Sequence, residues 1–76
     1  MNKDRRKQLT DISGHLEDLR LDLELLRDEE QEYYDNMPES MQGGEKGSKA
    51  EEAVEAMDTA ISEIEDVISN IENAQQ

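Results

Sequence analysis

Carboxylates at helical spacing are the first candidates for chemistry in a chain where 21 of 76 residues are acidic. Glu29 with Glu32 and Glu55 with Asp58 repeat the spacing by which facing helices can hold Mg²⁺ between carboxylates for nucleotide hydrolysis. If Leu9 is heptad position a, Glu29 falls at g and Glu32 at c, and in the second helical stretch Glu55 falls at b and Asp58 at e. Such positions do not converge on a bundle interior, where metal ligands must project. Glu-x-x-His, the signature of a di-iron bundle, does not occur. Asp35 to Lys46 has the length of a calcium loop, yet Ser40 stands where glycine is needed and Lys46 where a bidentate glutamate belongs. No serine has a histidine partner in a nucleophilic arrangement, and the lone His15 reads as a surface or interface residue. The expectation is therefore no catalytic residue, no metal and no cofactor: a protein that acts by binding.

The strongest binding candidate is the glycine-rich connector. Lys46, Ser48 and Lys49 stand where the second helix should begin, and free amides at a helix N-terminus favour an anion. Tyr33 and Tyr34, the two aromatics of the chain, lie just before the same connector. In an antiparallel dimer, Arg5 and Arg6 of one copy would approach Tyr33, Tyr34 and Lys46 of the other, joining base stacking to phosphate recognition. A plug of the bundle end by the tyrosines and a plain hairpin loop capped by serine are the competing readings. The Gly-x-x-x-x-Gly-Lys-Ser/Thr order of a phosphate loop is absent.

Two helices must position these residues. Leu9, Ile12, Leu16, Leu19, Leu23 and Leu26 are separated by 3, 4, 3, 4 and 3 residues, a heptad seam on a helix expected over about 4–34. Asn2, Thr10 and Asp11 are candidate caps, and Gly14 weakens the first turns. Leu21 and Leu25 lie off the seam as a second contact surface. Ser48 followed by Glu51 fits a capping box for a second helix over about 49–74. Along it Ala50, Val54, Met57, Ile61, Ile64, Ile68 and Ile71 form a stripe, with Ala53, Ala60, Val67 and Ala74 as a third row. Three rows let one helix touch two neighbours. The connector, 35–47, carries one short helical turn between Pro38 and Gly43 and a mobile glycine-rich second half. The fold class is all-α: one antiparallel helical hairpin that dimerises, through the seam residues of both helices, into a four-helix bundle or higher oligomer.

Charge narrows the partners. Residues 1–7 carry +3, residues 8–35 carry −8, residues 36–49 are neutral and residues 50–76 carry −8, within a total of −13. That field repels a nucleic-acid backbone, so direct nucleic-acid binding is not expected. With no cysteine there is no disulfide framework. The charged start and the lack of a long apolar run point away from a signal peptide or membrane span and toward the cytoplasm.

The stretch Glu29 to Met57, EEQEYYDNMPESMQGGEKGSKAEEAVEAM, resembles small, largely uncharacterised helical proteins of phages and prophages of Gram-positive bacteria. The likeness rests on Tyr34, Asn36, Met37, Pro38 and Glu39, on Gln42 and Gly43, and on the Ala50 to Ala53 opening. It implies a phage setting and, by analogy of architecture, a protein that antagonises a host defence by sequestration, in the host cytoplasm. A small nucleotide used as an immune signal is one expected ligand. An acidic mimic of nucleic acid that occupies a host defence enzyme is another reading, and a structural or assembly adaptor a third.

Overall fold

The computed structural model describes all 76 residues and contains three helices. Helix α1 runs Lys3–Asp35, α2 is one turn at Glu39–Gln42, and α3 runs Glu45–Ala74. The helices α1 and α3, about 50 and 45 Å long at 1.5 Å per residue, lie antiparallel in a hairpin of 58 × 15 × 12 Å.

Each boundary has a local cause. Asn2 is extended and its Oδ1 accepts from the Arg5 amide at 2.8 Å, which caps α1 and settles the choice among the three candidate caps. Gly14 does not interrupt α1, because the surrounding helix formers and tertiary packing outweigh its propensity cost of about 1 kcal/mol. Pro38 ends α1 and starts α2 from the N-cap, its carbonyl accepting from Met41 and Gln42 at 2.8 and 3.0 Å.

The start of α3 departs from the sequence reading. Gly44, not Ser48, occupies the N-cap, and Ser48 lies inside the helix with its amide donating to the Gly44 carbonyl at 3.0 Å. The Ser48–Glu51 capping box is therefore not formed. Gly47, expected in a mobile connector, is helical and buried against the backbone of Gln42. Close approach of the corner to the first turn of α3 brings that turn into the helix four residues early.

The packing face of α3 is the predicted stripe: Ala50 and Ile61 are buried, and Val54, Met57, Ile64, Ile68 and Ile71 are half-buried. On α1 the facing residues are Leu9, Ser13, Leu16, Arg20, Leu23, Arg27, Glu30 and Tyr34, which are heptad positions a and e. Half of the predicted α1 seam thus turns elsewhere. Ile12, Leu19, Leu26 and Tyr33, at position d, are 48, 57, 54 and 51% exposed. The core between two helices is thin: only Met37, Gly47, Ala50 and Ile61 are buried, and α1 contributes none of them.

Candidate functional site

The two broad faces of the hairpin differ in chemistry. On one, position e of α1 meets acids of α3. Arg27 Nη1 bonds Asp58 at 2.9 Å, and Arg20, held on its own helix by Glu17 and by Glu24 at 2.7 Å, lies 3.9 Å from Glu65. Hydrogen bonding to Glu17 for Arg20, and to Asp58 and then Asp28 for Arg27, raises both guanidinium pKa values, so both remain cationic. Tyr34 continues this row. The neighbouring Glu51 carboxylate, with partial desolvation second, raises its phenol pKa above the ordinary value. Sequence reading by apolar period overlooks this face, although Ser13, Arg20, Arg27 and Tyr34 recur every seven residues.

The opposite face carries the exposed d row. Leu26 lies beside Met57, and Tyr33 beside Lys46, Lys49 and Ala50. One turn angle of about 100° places Ala53, Ala60 and Val67 on this side of α3, next to Met57 and Ile64. Ile12, Leu19, Leu26 and Tyr33 from one helix and small residues from the other therefore form one apolar strip.

The two tyrosines part at the connector. Tyr34, with Ser48, Gln31, Glu51, Glu52 and Glu55, lines an open, acidic concavity of about 470 Å³. Tyr33, with Lys46, Lys49, Glu30 and Ala50, lines a smaller one of about 210 Å³ on the apolar face. Lys49 is 3.1 Å from Glu45, whereas Lys46 makes no ion pair within the chain. Arg5 and Arg6 lie at the far end of the molecule, where Arg6 Nε donates to the Gln75 carbonyl at 3.1 Å at the C-terminus of α3. Within one chain the basic tip and the tyrosines do not meet.

Residues of the connector sequence build its corner. The Tyr34 carbonyl accepts from the Met37 amide at 3.1 Å and from Gln42 Nε2 at 3.0 Å, while Met37 is buried beneath. Asn36 caps α1, its amide donating to the Glu32 carbonyl at 3.0 Å. Ser48 presents no free amide, so an anion at the N-terminus of α3 would address Glu45, Lys46 and Gly47, of which Gly47 is pressed against Gln42.

No three His, Asp or Glu side chains converge as a ligand set for a metal ion, and no helix is long and apolar enough to cross a membrane. Comparison with known protein families, with curated proteins and with solved structures finds no match for this chain.

Proposed function

We propose that this chain is a non-enzymatic binding protein that works as a homo-oligomer and sequesters a small phosphorylated nucleotide at the Tyr33 end of the hairpin, antagonising a host defence in the manner of a phage protein. The observation that carries the reading is the small concavity where the exposed ring of Tyr33 stands beside Lys46, a lysine without an ion pair, in a chain of net charge −13. An aromatic face for a base and an ammonium for a phosphate are the two elements of nucleotide recognition, and Lys49 supplies a second cation once Glu45 releases it. The concavity is too shallow to enclose a nucleotide alone, so a second copy that brings Arg5 and Arg6 completes it. Titration calorimetry against cyclic dinucleotides, cyclic trinucleotides and ADP-ribose derivatives tests the reading. Saturable binding by one class that is lost in Lys46→Glu supports it, and heat from none of them ends it.

A second reading has its own observation. Glu52, Glu55 and Asp58 line an open concavity on α3, and with Glu51 they form a carboxylate ridge of the kind that mimics a phosphate backbone. An inhibitor of a host defence enzyme acting through that ridge loses its effect when Glu55 and Asp58 are changed to lysine, whereas nucleotide sequestration at Tyr33 survives. The adaptor reading is supported by the exposed Leu21 and Leu25 on the back of α1, and their replacement by serine would abolish capture of a partner.

A further inference from the structure

We infer that the strip formed by Ile12, Leu19, Leu26 and Tyr33 is covered by a second copy of this chain docked face to face and running in the opposite sense, so that the basic tip of each copy lies beside the connector of the other. The inference rests on the oligomer in the reading above and does not need the nucleotide.

Three observations select a second copy. First, the hairpin lacks the core that would make it independent, with four of its 76 residues buried and the apolar d row left about half exposed. Second, the strip has the period and composition of a bundle interface: large side chains every seventh residue on α1 face the same way as Ala53, Ala60 and Val67, whose small size permits close approach. Third, the size is sufficient. A face of 58 by 15 Å offers on the order of the ~800 Å² per partner that a standard interface buries. The other broad face, already crossed by Arg27–Asp58 and Arg20–Glu65, offers no comparable apolar surface.

Charge selects the direction. The end that holds both termini, residues 1–14 and 69–76, carries four basic against three acidic side chains. The connector end, residues 26–57, carries three basic against ten acidic ones. Two copies docked with like ends together would concentrate the acidic ends, whereas the reversed arrangement sets each weakly basic end against an acidic one. In the reversed pair Leu19 lies level with Leu26 of the other copy and Ile12 with Tyr33, since both pairs are symmetric about the point between Asp22 and Leu23, the middle of the strip. The partner's Arg5 and Arg6 then reach the level of the connector, and the Tyr33 concavity gains the wall it lacks.

The absence of cysteine makes a single reporter clean. Ser40→Cys, at an exposed position of the connector, carries one spin label per chain, and dipolar spectroscopy reads the separation between copies. The reversed dimer places the labels about 50 Å apart, near opposite ends of the bundle, whereas a dimer with like ends together places them within about 25 Å. A dominant long distance that disappears in Leu19→Glu/Leu26→Glu supports the inference. A short distance overturns the orientation while leaving the oligomer standing. Labels that show no dipolar coupling at high concentration overturn the second copy as occupant, and a long distance that persists in the double variant overturns the face. None of these results depends on nucleotide titration, which tests the ligand separately.

Discussion

Gly47 packs so tightly on Gln42 that a Cβ added to it would stand within 2.6 Å of the Gln42 Cα and overlap the adjoining carbonyl. The backbone of the corner and the first turn of α3 touch with no side chain between them. Gln42 also donates from Nε2 to the carbonyl of Tyr34 at 3.0 Å, so one residue joins the end of α1 to the start of α3. This contact sets the angle of the hairpin.

Gly47→Ala therefore destabilises the protein despite the better helix propensity of alanine. The overlap is with backbone, which yields only by moving the corner, at a cost of about 1–3 kcal/mol. Gly14 provides the control, because nothing lies within 4 Å of an added Cβ there. Gly14→Ala gains about 1 kcal/mol from propensity. Thermal melts followed by circular dichroism should move in opposite directions for the two variants, and a shared upward shift would show that the corner contact is not tight.

Ser13 offers a second test of packing. Its Oγ is buried on the α3-facing side of α1 with no hydrogen-bond partner, and an unsatisfied buried hydroxyl costs about 1–3 kcal/mol. Ser13→Ala removes that group and improves helix propensity. A higher melting temperature is expected, and a lower one would mean that the hydroxyl has a partner that matters.

Alkaline pH should weaken the hairpin through Tyr34. Its phenol holds its proton more tightly in the folded protein than in the unfolded chain, chiefly because the Glu51 carboxylate favours the protonated hydroxyl. The contribution is complete below the unfolded value near 10 and is lost as pH rises through the higher folded value. Ultraviolet difference titration should show a late tyrosine component that vanishes in Tyr34→Phe. That variant should also have a flatter dependence of stability on pH above the unfolded value, and an unchanged slope would remove Tyr34 as the cause.

The ion pairs across the polar face contribute little by comparison. Arg27 and Asp58 are both substantially solvated, and exposed pairs of this kind are screened by salt. Arg27→Gln should change the melting temperature by only a few degrees at low salt and by less at high salt, whereas Ile61→Ala, at a buried position, should cost several times as much. Equal losses would place the main stabilisation in the charges.

The α3 stripe from Ala50 to Ile71 was legible in the sequence because one neighbour covers all of it. Helix α1 was legible as a helix but not in its rotation. Apolar periodicity reports every surface that avoids water, whichever neighbour covers it, so Leu9, Leu16 and Leu23, which face α3, look the same as Ile12, Leu19 and Leu26, which do not. The residues that complete the packing face are Arg20, Arg27 and Tyr34, whose polar tips hide long apolar stems from any count of hydrophobic residues. The start of α3 was misplaced because Gly43, Gly44 and Gly47 read together as a loop, while only a tertiary contact distinguishes the glycine that the corner requires. Tyr33 and Tyr34 are neighbours in sequence, yet successive helical residues point about 100° apart, which sends them to different faces.

The inferred second copy requires the row Ile12, Leu19, Leu26 and Tyr33 to be an interface left open by the single hairpin. Sedimentation equilibrium over a wide concentration range tests it most directly. A species of at least twice the 8.7 kDa chain mass is expected, reduced to one chain in Leu19→Glu/Leu26→Glu. A fully helical monomer that melts cooperatively at every concentration, with that row facing water, would contradict it.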